Sequence, residues 1–141
     1  MSNTSRTSLS RILIGLVFII NVQSALVFLA NPARFSPAYE LTGVPGQAAI
    51  RGLAILFLMW NIPYGVALIN PIKYRVSLFE AITMQSVGLI GETLLLLSIP
   101  GEHTLLRESI IRFIIFDGGG LIALIFAAWV TKPVGNALAS K

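Results

Sequence analysis

The stretch IIRFIIFDGGGLIALIFAAWV (residues 110–130) decides the fold class of this chain. Its length is close to the ~20 predominantly apolar residues that a helix needs to cross about 30 Å of hydrocarbon. Similar apolar stretches occupy residues 12–30, 48–69 and 76–99. The sequence therefore predicts an all-α polytopic membrane protein, in which four transmembrane helices form a bundle and a single domain covers residues 1–141.

The composition of the whole chain agrees with a location in the bilayer. Of its 141 residues, 55% are hydrophobic and only 11% are charged, and the mean hydropathy is +0.83. Soluble domains carry about 25% charged residues. Arg6 and Arg11 precede the first apolar stretch, as in a secretory signal, but that stretch is too long for a signal h-region and no clear cleavage site follows it. We therefore expect it to remain as the first transmembrane helix.

Basic residues are distributed unevenly between the two sides of the predicted bundle. With both termini inside, the cytoplasmic side carries Arg6, Arg11, Lys73, Arg75, Lys132 and Lys141. The opposite loops carry Arg34 and Arg107. The positive-inside rule therefore predicts that both termini are cytoplasmic. We expect the membrane to be a bacterial inner membrane. The net charge of +4 needs no nucleic acid to explain it, so the expected partner is the lipid bilayer.

Several polar residues inside the predicted spans come to a similar depth, in the half of the membrane away from the termini. An ionised group in hydrocarbon costs at least ~2.5–3.5 kcal/mol, so charges at one depth are expected to pair. We predict a buried or semi-buried network of Arg51, Glu92, Arg112, Asp117, Asn21 and Gln23. In the alternative, the arginines extend to the interface and the acids are protonated or face a cavity.

The third and fourth spans carry small residues that favour close helix packing. Gln85, Gly88 and Glu92 follow an i, i+3, i+7 spacing, which places an amide, a gap and a carboxylate along one stripe. A ladder of small residues on the fourth span is formed by Gly119, Ala123 and Ala127. The sequence therefore predicts a polar inward face on the third span and a tightly packed face on the fourth.

A second group of candidate residues lies toward the inner side. Ser77-x-x-Glu80 matches a capping box at a helix start. Alternatively, Glu80 accepts protons, with Asn61 and Tyr64 as its nearest partners by depth. Pro63 should kink the second span, and Asn61 would satisfy the freed carbonyl or contact a neighbouring helix. The kink is either purely structural or opens a pocket for a quinone or lipid.

Two segments permit both a structural and a functional interpretation. Asp117 either holds packed helices together or belongs to a site that binds or moves something. It could cap a half-helix that begins at the glycines of residues 118–120. The proline-rich segment 31–46 is either a connector at the interface or a lid over a pocket.

The N-terminal stretch SRILIGLVFIIN (residues 10–21) leads into the first span, and an outer loop that contains proline and phenylalanine follows that span. Through Arg11, Gly15 and Phe18 the stretch resembles the DoxX-like group of small bacterial membrane proteins. The resemblance implies a four-helix membrane protein, and some members of the group are linked to quinone-dependent sulfur oxidation as membrane subunits. The group usually has an acidic residue near the glycine of its second helix, where this chain has Arg51-Gly52, so we transfer no catalytic residue.

The sequence offers little for metal or cofactor chemistry. The chain has no cysteine, and its single histidine, His103, lies in a predicted loop. Axial ligation of haem and structural zinc sites both need ligands that this pattern lacks. We therefore predict no metal and no cofactor.

Three functions are compatible with these features. The leading hypothesis is a non-catalytic accessory or self-associating subunit, with other membrane helices as partners in a homo-oligomer or a larger complex. The alternative is binding or transport of a small polar or anionic ligand, or of protons. The third is an enzyme that acts on a lipid or quinone; because no nucleophile–base pair and no metal motif is present, the sequence leans against catalysis.

Overall fold

The computed structural model describes residues 3–132 and contains five α-helices. They are α1 (Asn3–Ala30), α2 (Pro32–Phe35), α3 (Gly43–Ile69), α4 (Arg75–Ser98) and α5 (Thr104–Val130). A 3-10 turn at Ser36–Tyr39 follows α2, and residues 3–132 contain no strand. The helices α1, α3, α4 and α5 are each long and apolar enough to cross a membrane, which confirms the all-α bundle of four spans. The predicted cytoplasmic Lys141 lies outside the described residues.

Three of the long helices begin earlier than the hydropathy pattern predicts. The first begins at Asn3 rather than at residue 12, α3 begins at Gly43 rather than 48, and α5 begins at Thr104 rather than 110. Hydropathy marks only the part of a helix that matches hydrocarbon. Helical backbone hydrogen bonds continue through polar residues at the interface, so the helices are longer than their apolar centres.

The four long helices form a ring. In it, α1 packs against α3 and α5, while α4 packs against the other sides of α3 and α5. The diagonal pairs, α1 with α4 and α3 with α5, make no close backbone approach in the described part of the chain. Space along the axis of the ring is therefore filled by side chains alone or left open.

The side chains of the ring form two apolar clusters along the bundle axis. The larger cluster is centred on Ile14, Leu78 and Leu124, which are all fully buried. The smaller cluster surrounds Phe28 and Ile50, near the end of the bundle that carries residues 31–42, which we call the connector end. The outward surface is covered by large exposed aliphatic and aromatic side chains. In a bilayer these side chains contact lipid.

The start of α4 corrects one of the sequence predictions. The helix begins at Arg75, its N-cap residue is Tyr74, and no side-chain capping bond is formed there. The predicted capping box of Ser77 and Glu80 is therefore wrong, because both residues already lie inside the helix. The preceding turn is instead stabilised by Asn70, whose Oδ1 accepts the backbone N–H groups of residues 72 and 73 at 3.1 and 3.0 Å.

Helix α5 also differs from one prediction. It is continuous from Thr104 to Val130, so residues 118–120 start no half-helix and Asp117 caps none. The predicted ladder is correct for two of its three members: Ala127 is buried in the larger cluster and Ala123 packs against it. Gly119, however, is exposed and no neighbouring atom lies within 4 Å of where its Cβ would be, whereas Gly120 is buried. One residue turns a helix position by about 100°, so the packed face is shifted to Gly120.

Candidate functional site

A cavity of about 340 Å³ lies inside the ring of helices at the connector end. All four long helices, together with α2 and the 3-10 turn, contribute to its lining. Its apolar walls are largely aromatic and include Phe28, Phe57, Trp60, Phe113 and Phe116. The rings of Phe57 and Phe113 meet edge to face, with their centroids 5.8 Å apart. The open diagonals of the ring thus produce an aromatic chamber rather than a sealed core.

Most of the residues that the sequence singled out line this one cavity. They are Asn21, Asn61, Tyr64, Gln85, Glu92, Arg112 and Asp117. Arg51, Gln23 and Glu80 do not line it and are exposed on the outer surface of the bundle. The structure therefore merges the outer-half network with Asn61 and Tyr64, which the sequence had assigned to a separate inner group beside Glu80.

A chain of hydrogen bonds crosses the deep end of the cavity from α3 to α5. The Tyr64 hydroxyl donates to Gln85 Oε1 at 2.5 Å and also lies 3.2 Å from the backbone oxygen of Ala81. The Gln85 Nε2 group donates to Asp117 Oδ1 at 2.8 Å. The Gln85 side-chain amide accepts from Tyr64 with its oxygen and donates to Asp117 with its nitrogen. Its orientation is therefore fixed, with the Nε2 hydrogens directed toward the Asp117 carboxylate.

Two glycines make room for this chain of hydrogen bonds. A Cβ at Gly88 would collide with Asp117 Oδ2, and a Cβ at Gly120 would lie 2.6 Å from Gln85 Nε2. By contrast, no atom lies within 4 Å of a Cβ at Gly91. The predicted gap in the stripe Gln85, Gly88 and Glu92 therefore admits a carboxylate from α5 as well as bringing the helices together.

The predicted ion pairs between the arginines and the acids are not formed in the described part of the chain. Arg112 Nη2 instead lies 3.9 Å from Glu108 Oε2, and the Arg112 side chain is 71% exposed. Arg51 is also exposed. Arg51 and Arg112 each lie about two turns inside the start of α3 and α5, from where a long side chain can extend toward the interface instead of crossing the bundle. The alternative, in which the acids face a cavity, describes the structure.

Three buried polar atoms that line the cavity have no hydrogen-bond partner among residues 3–132. They are Tyr39 Oη, Asn61 Oδ1 and Glu92 Oε2. Asn61 is only 4% exposed, and its Nδ2 donates to the backbone oxygen of Phe57 at 2.6 Å, which leaves Oδ1 free. A buried polar group without a partner costs about 1–3 kcal/mol. Three of them around one cavity indicate a site that a polar molecule completes.

Asn61 therefore does something other than the sequence suggested. The carbonyl deprived of a donor by Pro63 is that of Met59, four residues earlier, but the Asn61 amide bonds Phe57 instead. The helix α3 continues through Pro63 without interruption. Tyr39 is one of the site residues that sequence reasoning missed. The sequence feature that could have indicated Tyr39 is its position in segment 31–46, which we interpreted as either a connector at the interface or a lid over a pocket.

The connector between α1 and α3 covers the cavity. Phe35, Ala38 and Tyr39 line it from this side. Ser109 Oγ on α5 donates to the backbone oxygen of Ala38 at 2.8 Å, which ties the connector to the bundle. Burial, with a smaller effect from the charge of Glu92, raises the pKa of the Tyr39 phenol, so it stays neutral and can donate a hydrogen bond.

An exposed ion pair holds the connector to the loop between α4 and α5. His103 Nδ1 lies 2.5 Å from Glu40 Oε2. The hydrogen bond to Glu40 and the Glu40 charge raise the pKa of His103 above its usual value, and the charge of Glu102 adds to this. The pair is therefore complete at low pH and is lost as the pH rises through the raised pKa.

We expect the connector to loosen when His103 is deprotonated. Hydrogen exchange of the amides of Glu40 and Leu41, which bond to Pro37 and Ser36, should be faster at pH ~8.5 than at pH ~5.5 after correction for intrinsic rates. His103→Gln should remove this pH dependence. If His103→Gln protein shows the same pH dependence as the wild type, the ion pair does not hold the connector.

No protein-family model, no curated protein and no solved structure matches this chain. Its class is therefore defined by its own architecture. It is a small membrane-spanning bundle of four helices, with a covered, aromatic-walled cavity between them.

Proposed function

We propose that the protein binds a small molecule inside this cavity, with a ring-sized apolar body against the aromatic walls and a polar head at the unpartnered atoms. The observation that carries this proposal is the convergence of Tyr39 Oη, Asn61 Oδ1 and Glu92 Oε2 on a single chamber. Small-molecule sites are typically mostly apolar clefts of about 300–1,000 Å³ with a few well-placed polar groups. The cavity, at about 340 Å³, has the size and the lining of such a site.

Among the three hypotheses from the sequence, the cavity favours the binding alternative. A structural network would leave its polar groups paired and sealed, whereas here three remain without partners in the described part of the chain. An anionic ligand is disfavoured, because Arg51 lies outside the cavity and Arg112 lies beside Glu108. Self-association and membership of the DoxX-like group stay predictions, as does the placement of both termini on the cytoplasmic side of a bacterial inner membrane.

The proposal is tested by equilibrium dialysis of the protein in phosphatidylcholine nanodiscs, with empty nanodiscs as the blank. Three probes share one bromobenzyl-sized body and differ in charge: para-bromobenzyl alcohol, para-bromobenzylammonium and para-bromobenzoate. At least one should bind saturably to the wild-type protein. Absence of saturable binding for all three would contradict the proposal.

A cavity-filling variant locates that binding. Ser24 lines the cavity from α1, so Ser24→Phe should weaken binding of the best probe roughly tenfold or more by occupying its space. Leu16→Phe is the matched control, because Leu16 is 55% exposed on the same helix and does not line the cavity. Equal loss in both variants, or loss in neither, would mean that the probe binds elsewhere.

A further inference from the structure

The cavity holds two acidic side chains that have no cationic partner. Glu92 and Asp117 both line it. The ion pairs found among residues 3–132 join His103 to Glu40 and Arg112 to Glu108, so neither cavity acid takes part in one. Arg112, the one cation among the described residues of the lining, has a 71% exposed side chain. An ionised carboxylate at this depth is costly unless it takes up a proton, contacts water or is compensated by a charge from outside the chain.

Apart from the Tyr39 hydroxyl, the unpartnered polar atoms that line the cavity in the described part of the chain are acceptors when Glu92 is ionised. Asn61 uses its Nδ2 on Phe57, so its buried Oδ1 is left to accept. Glu92 Oε2 is a second unpartnered oxygen. The Tyr64 hydroxyl donates to Gln85, and the Gln85 side-chain amide donates to Asp117. These donors already have acceptors within the protein, so they are not offered to an occupant of the cavity. An occupant that completes these groups must supply donors.

The aromatic walls suit the same kind of occupant. The rings of Phe57, Trp60 and Phe113 line the chamber that contains the two acids. A cation near the face of an aromatic ring is attracted by the quadrupole of the ring, and the attraction is larger where water is excluded. Carboxylates and aromatic faces together therefore favour a positively charged, partly apolar molecule over a neutral or anionic one.

We propose that the occupant of the cavity is an organic ammonium ion, a compound with an apolar or aromatic body and a protonated amine whose N–H groups meet Glu92, Asp117 and Asn61. This inference rests on the proposed function, since it names the class of molecule that the same cavity binds. An ammonium group supplies a positive charge and several donors to the unpartnered oxygens, whereas an alcohol supplies one donor and no charge.

The three matched probes test the inference in the wild-type protein without any variant. Para-bromobenzylammonium should bind roughly tenfold or more tightly than para-bromobenzyl alcohol, because hydrogen bonds to charged groups are the stronger ones. Para-bromobenzoate should bind more weakly than the alcohol. If the alcohol or the benzoate binds as tightly as the ammonium, the ammonium assignment is overturned while the proposed function stands. If none binds saturably, both are overturned.

Acid-to-amide variants test which carboxylates cause the ammonium probe to bind more tightly than the alcohol probe. Glu92→Gln and Asp117→Asn should each reduce the preference for the ammonium over the alcohol roughly tenfold, because an amide keeps a hydrogen-bonding oxygen but loses the negative charge. Glu80→Gln is the matched control, since Glu80 is an exposed acid on the same helix as Glu92. An unchanged preference in both cavity variants, or an equal loss in Glu80→Gln, would overturn the assignment. If a variant does not fold, as judged by its thermal transition, the comparison of probes in the wild type decides.

Discussion

Gly88→Ala is expected to destabilise the protein by about 1.5–3 kcal/mol, because the new methyl group displaces the Asp117 carboxylate from its bond with Gln85. The carboxylate has little freedom to move aside, since Gln85 is itself held by Tyr64. The gain in helix propensity on replacing glycine, at most about 1 kcal/mol, does not offset this loss. Thermal unfolding in detergent, compared at equal detergent-to-protein ratio, measures the difference.

Gly91→Ala on the same helix is the control. No atom lies within 4 Å of its added Cβ, so the propensity gain should appear alone and the stability should be unchanged or slightly raised. The two variants differ only in what the new methyl group meets. Equal stability of the two variants would show that Asp117 does not depend on the gap at Gly88.

The second large effect concerns the chain of hydrogen bonds itself. Gln85→Leu should cost about 2–4 kcal/mol, because Gln85 is 3% exposed and its removal leaves the Tyr64 hydroxyl and Asp117 without this partner. Tyr64→Phe should cost less, about 1–2 kcal/mol, since it removes the first donor only. Replacing both residues should cost less than the sum of the single changes, with a coupling of roughly 1–2 kcal/mol.

Unfolding of the wild type, both single variants and the double variant completes a thermodynamic cycle. Ser86→Ala is a useful reference on the same helix, because among residues 3–132 the Ser86 hydroxyl bonds the backbone oxygen of Ile82 alone. It should change stability little and show no coupling with Tyr64→Phe. Additive effects of Tyr64→Phe and Gln85→Leu would mean that the two side chains do not act as one chain.

The sequence predicted the four spans because hydropathy reports directly on the solvent that surrounds a helix. The stripe of Gln85, Gly88 and Glu92 was also readable, because i, i+3, i+7 spacing fixes a common face whatever that face meets. The face of α5 that packs against this stripe was harder to predict. Which face of α5 turns inward depends on the rotation of the whole helix, and a difference of one residue separates exposed Gly119 from buried Gly120.

The pairing of charges could not be predicted for a different reason. Depth along the membrane normal placed Arg51, Glu92, Arg112 and Asp117 at one level, but depth contains no information about direction around each helix. An arginine near a helix end can also reach the interface, so its position in the sequence does not fix its partner. Tyr39 was missed because its role depends on how the connector folds back over the bundle, which involves contacts distant in sequence, such as Ser109 with Ala38.

The central claim, that the chamber is a ligand site, is tested most directly by the two tryptophans of the chain. Trp60 lines the cavity, whereas Trp129 stacks on Phe126 outside it, with their ring centroids 5.6 Å apart. Trp60 is also 44% exposed, so probe dissolved in lipid quenches it linearly as well. In Trp129→Phe protein, titration with para-bromobenzylammonium should therefore add a saturable quenching of Trp60 fluorescence to this linear one, through the heavy-atom effect of bromine. In Trp60→Phe protein, the quenching of Trp129 should rise only linearly, as for probe dissolved in lipid. Linear quenching of both tryptophans would contradict a binding site in the chamber.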